Sequence, residues 1–342
     1  MRRHRISIQV SHLKGFTMRC WKDPLSLFIA VVVAGSAFGQ TLDPGFSFSP
    51  YATVPAPPMQ LSFNAAGELF VAKSGPNSFI RRIGPGGAPV ETFGPLFPTE
   101  PISVQVDRVG AFSGTPGSVI AGGRAYISRI DGATATNLVT YSEKADGMAF
   151  DNNGRLLFAD SSQAPNGVYE VVGAAAPYTV NQLIVSGANR RSHKIAVDGQ
   201  NRFYTAYTNG TIGYYEADGT EISYPFVTLD DVPAVPSPAI GPGGIWGNDL
   251  YVATNPTGTI VRIDAQGNKT TIGSGFEPLT SIAFGPDGAL YVGQRDSGTI
   301  LRIVPEPGAL AALLAGWVPL IVRRHGGRLA RGPVEGEEFN PV

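Results

Sequence analysis

Cysteine is nearly missing from this chain: one occurs in 342 residues, at Cys20. Beyond that point no disulfide and no thiol chemistry is open to the protein. Charge is also sparse. Asp, Glu, Lys and Arg make up 15%, and the formal net charge is −1. The sequence has no HExxH, no GxSxG and no Gly-rich phosphate loop followed by lysine. Those absences remove the commonest zinc, serine-hydrolase and nucleotide signatures. Helical periodicity is missing from residues 40–304. Forty-three glycines and 28 prolines suit an all-β chain with many tight turns instead.

The small net charge hides an uneven distribution. Residues 1–39 and 305–342 hold ten Lys+Arg and five Asp+Glu, so 40–304 keeps 16 against 22, a net of −6. An acidic body without a basic stripe excludes nucleic acid as a partner. Its roughly 265 residues can bury an ample core without disulfides.

That body repeats. The phrases begin LSFNAAGELFVAKS at Leu61, ISVQVD at Ile102, GMAFDNNGRLLFADS at Gly147, KIAVDGQNRFYTAY at Lys194, AIGPGGIWGNDLYVA at Ala239 and SIAFGPDGALYVGQ at Ser281. These six starts lie 41–47 residues apart, an interval typical of propellers or solenoids. Each phrase reads as strands separated by turns such as Asn153-Gly154 and Asp287-Gly288. A further strand follows in most units: VETF at 90–93, NLVTY at 137–141, QLIVS at 182–186, YPFVTL at 224–229 and KTTIG at 269–273. Four strands per unit and six units predict a six-bladed β-propeller over 40–303. The sixth unit has only SIAF, ALYVG and TILRI before the tail. The lone strand FSFSPYATV at 46–54 is therefore expected to close the ring, which removes its open edges. The phrase FGPDGALYV at 284–292, with MAFDNNGRLLFADS at 148–161, resembles the NHL and gluconolactonase-like propellers. That resemblance implies the fold; its members include lactonases, lyases and plain binding modules, so it does not set a function.

The ends read differently. From Val304 the chain runs VPEPG, then the apolar stretch 308–322, then the basic cluster Arg323, Arg324, His325, Arg328 and Arg331. Prolines 305 and 307 hold Glu306 extended, the apolar run can enter a bilayer, and the arginines stop it on the cytoplasmic side. This order resembles a PEP-CTERM sorting signal over 304–331. It implies an exosortase-type processing enzyme as partner and Pro305, Glu306, Pro307, Arg323 and Arg324 as the sorting residues. Two features depart from the pattern: the run of 15 residues is short against the ~20 that span a bilayer, and the polar tail 332–342 follows the basic cluster. A tail anchor is the alternative. Residues 18–40, MRCWKDPLSLFIAVVVAGSAFGQ, read as a secretory signal peptide with a cleavage site at Ala37-Phe38-Gly39. Met18 is the expected start, which leaves 1–17 without a role; an unusually long n-region beginning at Met1 is the alternative. The full expectation is a propeller with an N-terminal signal helix and a C-terminal apolar helix outside the ring.

Ligands in propellers gather at the channel mouth, before the innermost strands. Gln60, Ser103, Asp146, His193, Pro238 and Thr280 stand there, and only Asp146 and His193 titrate. The gluconolactonase-like resemblance implies a metal held by acidic and amide side chains. Asp146 and Asp160, with Asn209 or Asn255, are the residues that match, and three such oxygens with water suit Ca²⁺. Asp and Asn at strand ends also cap turns, as does Asp at the recurring positions 151, 198 and 287. His193 could serve as general base or acid, or simply as a hydrogen-bonded loop residue. Glycine-rich GPGG at 84–87 and 241–244 reads as turns between blades. Two functions follow as expectations. The leading one is an exported, non-enzymatic module without cofactor, crossing the membrane transiently before processing and binding a glycan, protein or matrix component in the cell envelope. The alternative is an exported Ca²⁺-dependent lactonase- or lyase-like enzyme.

Overall fold

The computed structural model describes residues 39–306, except 56, 76, 98, 163–165, 174, 188–189 and 231–234. The expected signal helix, the apolar helix at 308–322, and Pro307, Arg323 and Arg324 lie outside the described residues. Within them the fold is an all-β, six-bladed β-propeller whose single helical piece is a 3₁₀ turn at Gly244–Trp246.

Alternating residue size explains the ring. The inner strands of each blade bury one set of side chains against the preceding blade and the other set against the following blade, while the outermost strands are largely exposed. Blade 1 consists of Pro58–Phe63, Leu69–Lys73, Ser78–Ile83 and Val90–Phe97, innermost strand first. Blade 3 uses Gly147–Phe150, Leu156–Asp160, Asn166–Val172 and Thr179–Ser186; blade 4 uses Ser192–Val197, Phe203–Tyr207, Thr211–Tyr215 and Glu221–Thr228. Blade 5 has Ser237–Ile240, Leu250–Ala253, Ile260–Ile263 and Lys269–Ser274, with Thr41–Leu42 added outside Lys269–Ser274. In blade 6, Leu279–Phe284, Leu290–Gln294 and Thr299–Pro305 are followed by Phe46–Thr53 from the N-terminal end, antiparallel to Thr299–Pro305.

Six hydrophobic clusters fill the six blade-to-blade interfaces. Leu290 and Val292 pack with Trp246, Tyr251 and Ile260 of blade 5, while Tyr291 between them joins Leu61, Phe63 and Val71 of blade 1. The expected alternation along ALYVG is therefore present, and Leu290 is fully buried. Each large apolar side chain removed from water this way contributes ~1.5–3 kcal/mol before entropy is counted.

Three details correct the sequence reading. Blade 2 has three strands, Pro101–Asp107, Ser118–Asp131 and Thr134–Lys144, so NLVTY belongs to its third strand and not to a fourth. Its second strand runs through Gly122-Gly123 and a bulge near Ala125, pairing first with Pro101–Asp107 and then with Thr134–Lys144. The propeller also extends past 303. Val304 and Pro305 pair with Ser47 and Phe46, and Glu306 N–H donates to Gly45 O at 2.7 Å. Pro305 and Glu306 thus sit on the end of a blade strand, where an extended linker free of the body was expected. Finally, both GPGG segments turn within blades, between Ile83 and Val90 and between Ile240 and Leu250.

Candidate functional site

The inner strands surround a central channel. At the end where they begin, a cavity of about 420 Å³ opens. Met59, His193 and Thr280 reach it from inner-strand starts; Ser74, Asn255 and Arg295 reach it from the segments after second strands. His193 is the only histidine among the described residues. Its Nδ1 is buried with no hydrogen-bond partner among those residues. Burial pushes the imidazole down to about 4, opposed by the charge of Asp146 and reinforced by Lys194 and Lys144. The ring is therefore neutral at physiological pH. Arg295 is exposed, and its guanidinium has no hydrogen bond or ion pair among the described residues.

Behind His193 lies a residue the sequence reading passed over. Lys194 is 3% exposed, and its Nζ donates to Met59 O at 2.9 Å and Asp146 O at 2.8 Å. One ammonium on blade 4 thus ties blades 1 and 3. Desolvation lowers Lys194 to about 8, and Asp146 opposes that shift. Gly147 makes room: a Cβ there would sit 2.8 Å from His193 O and 2.9 Å from Lys194 Cα. Gln60 and Gln105 complete the cross-channel contacts, each donating from Nε2 to Met148 O at 2.7 and 2.8 Å.

The proposed metal ligands are held in other work. Asp146 Oδ2 accepts from Ser161 N–H and Oγ–H at 2.9 and 2.6 Å. Asp160, fully buried, accepts from Tyr141 Oη–H at 2.6 Å and Ser162 N–H at 2.7 Å; burial raises it despite those bonds. Asn209 Oδ1 accepts from Thr211 N–H and Oγ1–H inside its own hairpin turn. Only Asn255 lines the mouth. No group of three or more His, Cys, Asp or Glu among the described residues is arranged to hold a metal. With Asp160, Asn209 and the Oδ2 of Asp146 engaged elsewhere and only Asn255 at the mouth, this set does not fit Ca²⁺, which takes 6–8 oxygens.

The recurring aspartates cap turns. Asp151 Oδ1 accepts from Asn153 and Arg155 N–H, Asp198 Oδ1 from Gln200 and Arg202 N–H, and Asp287 Oδ1 from Ala289 N–H. Their Oδ2 atoms pair with Arg155, Arg202 and Arg302.

No protein-family model matches this chain, and no curated protein does. Solved structures do. A gluconolactonase from Xanthomonas campestris superposes with TM-score 0.60 at 13% identity, covering 76% of this chain and 89% of that one. Aldose sugar dehydrogenase from Streptomyces coelicolor gives TM-score 0.56 at 13% identity, over 78% of this chain and all of that one (100%). Virginiamycin B lyase from Staphylococcus aureus gives 0.52 at 14% identity, over 76% and 100%. At these identities the likeness is one of fold. The fold is a six-bladed β-propeller similar to those of these enzymes.

Proposed function

We propose that the protein is a lyase- or lactonase-type enzyme acting on a small polar molecule at the upper channel mouth, with His193 as proton acceptor. The observation that carries this is His193 itself: a neutral imidazole lining a cavity that also holds Arg295, whose guanidinium has no partner among the described residues. A base that is unprotonated at neutral pH can take a proton, and an adjacent cation stabilises the carboxylate or enolate that results. The relatives support the enzymatic reading over the binding or structural module. Each carries an enzyme name, and a virginiamycin B lyase variant with one histidine replaced by alanine is catalytically inactive. The calcium part of the alternative is not retained, because the donor set does not fit it.

A panel of lactones and cyclic esters tests the proposal. Turnover of any member should be lost in His193→Ala, should survive EDTA, and should fall in acid with an apparent pKa near 4. Activity that persists in His193→Ala, or an acid limb near the ordinary ~6.5 of histidine, overturns it.

Export completes the proposal. The signal peptide at 18–39 would send the chain out, and the Pro305-Glu306-Pro307 segment with Arg323 and Arg324 would deliver it to an exosortase-type enzyme at the membrane. Mass spectrometry of the mature envelope protein should find a C-terminus near 305–307. A peptide containing 323–331 in that mature form refutes processing and favours a tail anchor.

A further inference from the structure

The cavity at the His193 mouth has a buried charge in its wall. Lys194 lines it at 3% exposure, and so does Met59, whose carbonyl takes one of the Nζ–H groups. Both hydrogen bonds of the ammonium go to neutral backbone oxygens, Met59 O and Asp146 O. Lys194 makes no ion pair among the described residues. The carboxylate of Asp146 acts on it only through space, since its Oδ2 accepts from Ser161. No Asp or Glu lines the cavity among the described residues.

Taking a cation out of water is costly unless an anion or a full set of acceptors replaces the water. Lys194 has neither. An ammonium carries three N–H groups, so one is left over after the two carbonyls, and it has no partner among the described residues. His193 adds a second unfilled position in the same wall, its buried Nδ1. The rest of the wall is mixed. Met59, Val235 and Pro256 are apolar, while Ser74, Asn255 and Thr280 are polar, which suits a compact ring that carries oxygens.

We infer that the substrate of this mouth is itself an anion, a lactone or ester bearing a free carboxylate, and that Lys194 selects it by donating the remaining Nζ–H to that carboxylate. The carboxylate provides the counter-charge that the buried ammonium lacks, in a site where a charge-assisted hydrogen bond is strong. Calling the anion a substrate rests on the reading of His193 as a base; the anion site itself is tested without turnover.

Tetrahydrofuran-2-carboxylate is the probe, with tetrahydrofuran-2-carboxamide as its neutral counterpart. Neither contains a lactone, so binding is read without reaction. Calorimetric titration uses the purified full chain at fixed ionic strength, at a pH where the imidazole is neutral and the ammonium charged. The carboxylate should bind saturably, and the carboxamide about tenfold more weakly or not at all. Lys194→Met should weaken the carboxylate by about tenfold and leave the carboxamide unchanged. Arg108→Gln, at the opposite end of the channel, should change neither. The inference fails if the carboxamide binds as well as the carboxylate, if Lys194→Met keeps the difference, or if Arg108→Gln removes it. Lys194→Met leaves two carbonyls without their donor. Should it not fold, a wild-type crystal soaked in the carboxylate decides: carboxylate density within hydrogen-bond reach of Lys194 Nζ supports the inference, and its absence there defeats it. His193→Ala separates the two readings. Lactone turnover that persists in that variant overturns the base and leaves the anion site standing, whereas equal binding of carboxylate and carboxamide overturns the anion site and leaves the base standing.

Discussion

Leu290→Ala tests the blade-to-blade packing at its tightest point. Leu290 is fully buried and lies against blade 5. The substitution removes about three methylene equivalents, ~2.4 kcal/mol of transfer free energy at ~0.8 kcal/mol each. A cavity term adds to this wherever neighbours cannot close the gap. Here they are held. Trp246 donates Nε1–H to Gly288 O at 2.7 Å, Tyr251 donates Oη–H to Trp246 O at 2.6 Å, and the two rings meet edge to face at 5.5 Å. The expected loss is ~3–4 kcal/mol, in the middle of the range for buried Leu→Ala. Urea unfolding should show it as a lower midpoint with an unchanged slope. Leu96→Ala, at a side chain 50% exposed, is the control and should cost less than ~0.5 kcal/mol. A loss below ~1 kcal/mol at Leu290, or one equal to that at Leu96, would refute the assignment of this strand face to the interface.

Stability should fall with acid through His193: its folded pKa near 4 lies below the unfolded ~6.5, so the unfolded chain binds the proton first and stability is lost from about pH 6.5 down to 4. The loss is at most about 3 kcal/mol, and His193→Gln should flatten the slope between pH 6.5 and 5; equal slopes in the two proteins sink this prediction. Asp287, held below its ordinary value by Arg302, Ala289 N–H and Tyr291 against its own burial, contributes stability that is present above its unfolded value of 3.8 and lost only as the pH falls below it. Gly147→Ala should cost ~1–3 kcal/mol, because the new methyl meets backbone atoms of His193 and Lys194; a neutral result in urea unfolding would mean that blades 3 and 4 do not approach so closely. Asp151→Ala and Asp198→Ala should each lower the unfolding midpoint by an amount equivalent to ~1–3 kcal/mol while leaving ligand binding intact, and altered binding would give these aspartates a role beyond their turns.

Much of the ring was readable because its logic is local and repeated. AFGPDGALYVGQ announces two strands and a turn, and a sixth unit with three strands requires a donor from elsewhere. The failures have specific physical causes. NLVTY was expected as a fourth strand, but the second strand of blade 2 runs unbroken through Gly122-Gly123 and pairs on both sides, which leaves three. Thr41–Leu42 is too short to carry a pattern, and it pairs only because blade 5 offers an edge. At the site, His193 could be found from its position before an inner strand. Lys194 could have been found too. Strand register puts it level with Gln60, Ser103, Gly147 and Ser281, all uncharged, so a lysine there is the exception in the series. What no pattern reveals is where a carboxylate's lone pairs go. Asp146 and Asp160 have the chemistry of ligands, but Ser161, Ser162 and Tyr141 donate to their carboxylates.

Closing blade 6 with Phe46–Thr53 also sets a timetable for folding. That strand is made early, yet its partner Thr299–Pro305 is made roughly 250 residues later, the longest separation of any strand pair among the described residues. Until then Phe46–Thr53 is an unpaired, aromatic-bearing segment on an otherwise growing sheet protein, open to other chains. Pro50, inside the segment, offers no N–H to a stray strand, and the final register accommodates it with a bulge between Pro50 and Ala52. The sequence thus carries its own protection for the interval in which the first strand waits for the last.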